Sequence, residues 1–196
     1  MLAFLTSNFR FSVTRTSVAA GLVLVVTACM GGGERSTEVR SDAPQITMAE
    51  AKARIAEQRE LSTIPKSVWR KMLSEDDYDI LWEKGTERAF TGALLDNKAE
   101  GVYVSKGCEI PVFHSRHKFK SGTGWPSFWE VYEEGNIVLK EDNSWGMERT
   151  EVLSACGEHL GHVFKDGPEP TGLRYCINSK ALKFIPIESF SSNSDL

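Results

Sequence analysis

Apolar residues recur at helical spacing in the first half of the chain. The segment TMAEAKARIAEQRELS places Ala, Ile and Leu three and four positions apart, and Thr47 followed by Glu50 has the pattern of a capping box. The apolar positions of SVWRKMLSEDDYDILWEKG fit two further short helices, with Gly85 as a stop signal. We interpret these helices as packing elements.

After about residue 90 the apolar residues occur in short runs separated by Gly, Pro, Asp and Asn. This punctuation is typical of antiparallel strands and tight turns. The runs are GVYVS, IPVF, NIVLK, TEVLSA, HLGHVF and RYCIN. The sequence therefore predicts an α+β domain, mainly antiparallel β, in which helices come first.

The first 29 residues have the pattern of a bacterial secretion signal. Arg10 and Arg15 precede the apolar run VAAGLVLVV, which is too short for a membrane-spanning helix and ends in VTAC. That ending resembles the lipobox of bacterial lipoproteins, which are cut before the cysteine and acylated on its thiol. We predict a signal peptide over residues 1–28 and lipidation of Cys29. An ordinary signal peptide with a chance cysteine is the alternative.

Cleavage at this site leaves 168 residues and changes the formal net charge from −4 to −6, because Arg10 and Arg15 are removed. A mildly acidic domain has no electrostatic reason to bind nucleic acid. Residues 29–46 are rich in Gly, Ser and charge, which predicts a flexible tether. We expect a monomer held by its lipid on the periplasmic side of the bacterial cell envelope. Met30 is not the Asp of inner-membrane retention, which favours the outer membrane.

The cysteine count predicts a free thiol. If Cys29 carries lipid, the three cysteines at positions 108, 156 and 176 remain in an oxidising compartment. Three cysteines form at most one disulfide. A free thiol is exposed to oxidation there, so we expect it to have a function.

Cys176 lies in a strand-like run with polar neighbours on the same face. Arg174 and Asn178 are two positions away on either side, and a guanidinium favours the thiolate. His159 and His162 lie in the preceding run, and a Cys–His–Asn set activates a thiol nucleophile. The alternatives are a structural pair of histidines, a two-histidine metal site and a buried, inert cysteine.

Five motifs in this chain together resemble the B-type methionine sulfoxide reductases, which reduce the R epimer of methionine sulfoxide. They are KGTERAFTG, SGTGWPSFWE, GMERTEV, HLGHVFKDGPEPTGLRYCINS and ALKFIP. The resemblance implies two antiparallel sheets meeting like a tent, with helices on the N-terminal side. It places a helical extension at 47–66, the reductase domain at 67–188 and a disordered tail at 189–196.

The resemblance also assigns roles to individual residues. Cys176 matches the catalytic nucleophile that becomes a sulfenic acid. The histidines at 159 and 162 match the pair that holds and protonates the sulfoxide oxygen, and Asn178 orients the bound group through water. Substrate-binding positions fall on Trp125, which packs against the methyl group, and on Phe164, Asp166 and Arg174. The partners implied are oxidised proteins or peptides and a thioredoxin-like reductant.

Many members of that family hold a structural zinc with two Cys-x-x-Cys pairs, and this chain departs from them. Ser105 and Leu153 stand at the first positions, leaving Cys108 and Cys156, so we predict no zinc cofactor. These two cysteines form a disulfide in the interpretation that we favour. The alternatives are that one of them resolves the sulfenic acid, or that His114 and His117 complete a metal site.

Two other functions stay open from the residues alone. A Cys–His–Asn set also serves acyl-transfer hydrolases, although no strand-to-helix nucleophile elbow is present. A lipid-anchored binding module without catalysis is the second alternative. Retention of Cys176, both histidines, Trp125 and Asn178 argues against it.

Overall fold

A computed structural model describes residues 46–193. Three helices come first, α1 (Met48–Ala56), α2 (Lys66–Met72) and α3 (Glu75–Glu83). The strands that follow are β1 (Gly101–Ser105), β2 (Pro111–His114), β3 (Lys118–Phe119), β4 (Ser127–Phe128), β5 (Ile137–Asp142), β6 (Arg149–Ser154), β7 (His159–Phe164), β8 (Arg174–Ile177) and β9 (Leu182–Pro186). Helix α4 covers Ile187–Asn193.

The strands form two antiparallel sheets. The first has the order β2-β1-β9, and the second has the order β3-β4-β8-β7-β6-β5. In the second sheet β8 therefore lies between β4 and β7, away from either edge. This architecture confirms the α+β, mainly antiparallel β fold predicted from the sequence.

The helix termini follow the capping signals in the sequence. The side chain of Thr47 accepts a hydrogen bond from the amide of Glu50 at 3.1 Å, which satisfies one free amide of the first turn of α1. The Glu50 carboxylate pairs with Arg54 four residues on, at 2.8 Å. At α3, Ser74 caps the helix, and Lys84 ends it in a left-handed conformation next to the predicted stop at Gly85.

An aromatic cluster joins the two sheets. The rings of Phe113 on β2 and Phe128 on β4 stack with centroids 4.4 Å apart, and Tyr103 on β1 meets Phe128 edge-on at 5.0 Å. All three side chains are fully buried. Because β4 carries Phe128, a strand of two residues holds the first sheet against the strand that bears Cys176.

The six predicted strands are all present, and β3, β4 and β9 are additional. Helix α4 includes residues 189–193, which the sequence assigned to a disordered tail. The predicted signal peptide, Cys29 and the tether up to residue 45 lie outside the described residues. Within residues 46–193, no helix is long and apolar enough to cross a membrane.

Candidate active site

A small pocket of about 150 Å³ brings five of the predicted site residues together, namely Trp125, His162, Phe164, Cys176 and Asn178. Thr86, Arg149 and Gly161 complete its lining. The sequence did not single out Thr86 or Arg149, although both lie within the motifs KGTERAFTG and GMERTEV. Their position in those motifs was the available signal.

Strand register explains why His162 and Cys176 share this pocket. On one side of β8, Cys176 pairs with His162 of β7, and on the other side it pairs with Ser127 of β4. Directly paired residues of antiparallel strands project to the same face with their Cβ atoms about 5 Å apart. Gly161 permits this close approach, since a Cβ there would collide with the carbonyl oxygen of Cys176.

The Cys176 thiol is half-buried and free. Burial raises the pKa of Cys176, while the Thr123 hydroxyl, 3.7 Å from Sγ, and the Arg174 guanidinium act in the opposite direction. Arg174 was expected to favour the thiolate, and it does so, but burial outweighs it. The resting thiol is therefore protonated at neutral pH.

A chain of hydroxyl groups leads away from Thr123. Its Oγ1 is 2.9 Å from that of Ser121, which is 2.7 Å from that of Ser127. Ser127 is the β4 residue paired with Cys176. The chain orients the Thr123 hydroxyl, because its neighbour Ser121 is itself held by a hydrogen bond with Ser127.

His162 is held by an acidic partner that the sequence did not identify. Its Nε2 is 2.8 Å from Oδ2 of Asp142, and the same oxygen accepts from Arg149 at 2.8 Å. Hydrogen bonds from Ser144 and His162 lower the pKa of Asp142 well below its ordinary value. Asp142 is therefore a fixed negative charge beside the imidazole.

His159 occupies a different environment from His162. It is almost fully buried, and its Nδ1 is 2.8 Å from Oε1 of Glu151, whose other oxygen accepts from Lys84 at 2.6 Å. Burial lowers the pKa of His159. The two imidazole rings meet edge-on at 5.5 Å, so His159 supports His162 from behind and does not line the pocket.

Trp125 and Asn178 are both fastened to Glu87, which the sequence also missed. The Trp125 indole donates to the Glu87 carbonyl at 3.1 Å, and Oδ1 of Asn178 accepts from the Glu87 amide at 3.1 Å. The buried Glu87 carboxylate accepts from the amides of Ser179 at 2.5 Å and Lys180 at 3.0 Å. This single residue ties the loop after α3 to the end of β8.

The amide group of Asn178 is used by the backbone. Besides accepting from Glu87, its Nδ2 donates to the carbonyls of Leu160 at 3.3 Å and Gly85 at 3.4 Å. The family role, orientation of a substrate through water, stays a prediction. The contacts in this structure fix the loop and β7 relative to each other.

Arg174 and Asp166 form a two-armed ion pair, with both nitrogen–oxygen distances at 2.9 Å. The guanidinium also lies over the Phe164 ring at 4.4 Å from its centroid. The Asp166 side chain is 62% exposed and does not line the pocket. The pair therefore stands beside the thiol and fixes the position of the Phe164 wall.

Cys108 and Cys156 form a disulfide, as the favoured interpretation of the sequence had it. A buried acid lies against it. Glu158 accepts from the amides of Gly107 at 2.7 Å and Cys108 at 3.2 Å, and from the Ser154 hydroxyl at 3.0 Å. Burial raises the pKa of Glu158.

The zinc that many members of the resembled family hold would need its ligands at this cluster. Cys108, Cys156 and Glu158 offer donor atoms within 4.8 Å of one another. However, the two sulfurs are bonded to each other, and the carboxylate is already occupied by backbone and hydroxyl donors. The arrangement does not fit a closed tetrahedral zinc site. The histidines at 114 and 117 are not part of this cluster.

One family model and several known proteins match most of the part of the chain that follows α2. The SelR domain family matches residues 73–186. A peptide methionine sulfoxide reductase MsrB of Leptospira interrogans is 56% identical over 117 residues, which cover 59% of this chain and 89% of that protein. The MsrB of Methanosarcina mazei is 54% identical over 121 residues (61% and 86%), and that of Thiobacillus denitrificans is 56% identical over 119 residues (60% and 90%).

Proposed function

The chain belongs to the SelR-domain family of methionine sulfoxide reductases, and we propose that it reduces the R epimer of methionine sulfoxide in proteins, with Cys176 as the nucleophile. One observation carries this proposal. A free thiol is paired across two strands with an imidazole, in a pocket that an indole also lines. A sulfoxide needs these three features, namely a nucleophile for sulfur, an acid for oxygen and an apolar wall for the methyl group.

In the proposed step, the oxygen of the sulfoxide is transferred to Cys176. The thiol gives its proton to His162, and the resulting thiolate attacks the sulfoxide sulfur and forms a sulfur–sulfur bond. His162 returns the proton to the sulfoxide oxygen. The hydroxyl then moves to the sulfur of Cys176 as the sulfur–oxygen bond of the substrate and the new sulfur–sulfur bond break. The products are methionine and a sulfenic acid, so atoms and electrons balance.

His162 is assigned as the proton donor because it lines the pocket, whereas His159 is buried behind it. Asp142 supports the assignment, since a fixed carboxylate stabilises the imidazolium that forms when the thiol is deprotonated. His159, held by Glu151, keeps the His162 ring in position. Both histidines thus contribute, in different ways.

Selection of one epimer follows from the fixed placement of three groups. The sulfur of a sulfoxide is pyramidal, with oxygen, methyl and the rest of the side chain at three corners. Trp125 is anchored through Glu87 and His162 through Asp142, so the methyl and oxygen positions are set independently. The other epimer would place its methyl group against the proton donor.

The sulfenic acid is reduced by an external dithiol in our proposal. Cys108 and Cys156 are joined to each other and buried, which leaves Cys176 as the free cysteine among the described residues. A thioredoxin-like protein supplies both thiols and water is released. The disulfide then takes the structural place that zinc has in other family members.

Lipid anchoring through Cys29 in the bacterial envelope is part of the same proposal.

Turnover of stereochemically resolved substrates tests the proposal. Purified protein is given N-acetyl-methionine sulfoxide as the R or the S epimer, with dithiothreitol as reductant. Methionine is expected from the R epimer alone. Equal rates for both epimers would contradict the epimer assignment, and hydrolysis of an ester or peptide without sulfoxide reduction would favour an acyl-transfer enzyme.

A further inference from the structure

A second, larger groove of about 550 Å³ lies next to the reactive pocket. Trp125 lines both, so the two spaces adjoin at the indole. The groove is bordered by Phe90 and Phe119 and by the turn that contains Gly122 and Gly124. Apart from Trp125, and from Ser121 in the hydroxyl chain beside Thr123, the residues of this groove have no part in the site described above.

Phe90 borders this groove with an exposed side chain and a left-handed backbone conformation. Its side chain is 68% exposed, the highest value among the large exposed hydrophobic residues of the described part of the chain. Its backbone has φ +66°, a left-handed conformation that is rare for a bulky residue. The Phe90 amide donates to the Gly124 carbonyl at 2.8 Å, which holds it there. A bulky residue stays in such a costly backbone conformation only where its surroundings hold it there, and residues of this kind cluster at active sites and ligand-binding sites.

The packing of Phe90 against Gly124 links the groove to the reactive site. A Cβ at Gly124 would come within 2.9 Å of the Phe90 ring, and Gly124 immediately precedes Trp125. The ring therefore rests on the backbone of the turn that carries the indole. A chain that places its oxidised methionine beside Trp125 passes over Phe90 when it continues into the groove.

The charge of the groove is positive. Lys98, Lys118 and Lys120 line it together with one acidic residue, Asp96. The Lys118 ammonium is used internally, since it donates to the carbonyls of Leu95 at 2.7 Å and Asn97 at 2.9 Å. Lys98 and Lys120 are exposed, so their ammonium groups face solvent at the groove.

We propose that this groove binds the polypeptide segment next to the oxidised methionine, with an apolar or aromatic residue on Phe90 and an acidic residue near Lys98 and Lys120. This inference rests on the proposed function and adds a substrate class to it, namely oxidised methionines in exposed segments with aromatic and acidic neighbours. Continuity through Trp125 and the positive charge both select a substrate chain as the occupant.

The test compares a peptide with a substrate too small to reach the groove. The small substrate is N-acetyl-methionine sulfoxide methylamide. Three peptides carry Phe with Asp, Phe with Lys, or Ala with Asp within four residues of the sulfoxide. Phe90→Ala should raise KM for the Phe/Asp peptide about 3- to 10-fold more than it raises KM for the small substrate, and any change in kcat should be the same for both substrates. The double change Lys98→Glu and Lys120→Glu should reverse the preference between Asp and Lys peptides, more strongly at low salt.

Two matched controls accompany these variants. Leu139→Ala removes another exposed apolar side chain, and Lys71→Glu reverses another exposed lysine, and neither residue lines the groove. The inference is overturned if Phe90→Ala affects the peptide and the small substrate equally, or if wild type shows no preference among the peptides. The proposed function fails separately, if wild type does not reduce the small sulfoxide at all.

Discussion

Cys176 and His162 are directly paired residues of neighbouring antiparallel strands. This register makes their proximity a property of the sheet, and both strands have partners on their other sides. Each side chain also has a second support, Thr123 for the thiol and Asp142 for the imidazole. The proposed nucleophile and the proposed proton donor are thus placed by backbone hydrogen bonds of the sheet, which hold their Cα positions whatever their side chains do.

The Thr123 hydroxyl is expected to tune the thiol. Thr123→Val keeps the shape of the side chain but removes the hydrogen bond, so the pKa of Cys176, already raised by burial, should rise further. The alkylation rate with iodoacetamide, followed against pH, should shift to higher pH and fall about 3- to 10-fold at neutral pH. Thr123→Ser keeps the hydroxyl and is the control. Equal alkylation profiles for Thr123→Val and wild type would show that Thr123 does not lower the pKa of Cys176.

Glu151 is expected to support His159 through charge. In wild type, burial lowers the pKa of His159, and Glu151 acts in the opposite direction. Glu151→Gln should therefore lower the His159 pKa further, which NMR titration of its imidazole protons detects, and cost about 1–3 kcal/mol of unfolding free energy. Glu109→Gln, which breaks the exposed pair with Lys183, is the control with little effect. An unchanged His159 titration would contradict the assignment.

The disulfide is expected to stabilise the fold without taking part in catalysis. It closes a loop of 48 residues, for which the chain-entropy model gives about 4 kcal/mol. Replacing both cysteines with alanine should lower the urea-unfolding free energy by up to about this amount. Turnover at a temperature where the variant is folded should persist with dithiothreitol or a thioredoxin-like reductant. Loss of turnover with the protein reductant alone would indicate a resolving thiol instead.

The free energy of unfolding should depend on pH through Glu158, and the raised pKa of this residue decides the direction. Because burial raises its folded pKa above the ordinary value of 4.5, the folded state keeps a proton that the unfolded state has lost. The stabilisation that this extra proton gives to the folded state is fully present below the unfolded pKa. It is lost as the pH rises through the folded pKa. Glu158→Gln mimics the protonated acid and should gain stability relative to wild type over that rise, by at most about 1.4 kcal/mol per pH unit.

The alanine variant separates charge from hydrogen bonding at the same position. Glu158→Ala leaves the amides of Gly107 and Cys108 without their acceptor, and should be less stable than Glu158→Gln by about 2–3 kcal/mol. Urea unfolding at several pH values gives both quantities. A constant difference between wild type and Glu158→Gln at all pH values would show that Glu158 does not titrate as described.

The sequence predicted the long elements well, because apolar runs and caps are local signals. It could not predict β4, since two residues carry no periodicity and their pairing with β8 is a tertiary property. It also could not separate His159 from His162. Their difference depends on the partners Glu151 and Asp142, which come from β6 and β5. The sequence did not single out Glu87, since its burial depends on a tertiary contact: its carboxylate accepts from two amides that follow β8.

The zinc positions show another limit of counting along the chain. Leu153 was taken as the replaced ligand, but in the structure it pairs with Val138 and His159 across neighbouring strands. Ser154 and Glu158 are the residues that reach Cys156. The irregular register at Val152 and Leu153 shifts the strand, and such a bulge is not visible in the spacing of the cysteines.

A single-turnover experiment without reductant shows whether Cys176 takes the oxygen of the substrate. Protein with a free Cys176 is mixed with one equivalent of the R sulfoxide, and intact mass and peptide mapping follow the reaction. One methionine should form per protein molecule, and Cys176 should gain the mass of one oxygen atom as a sulfenic acid that dimedone traps. Neither product should form in folded Cys176→Ser. Methionine formed while Cys176 stays unmodified, or turnover retained in Cys176→Ser, would contradict the proposed role of Cys176.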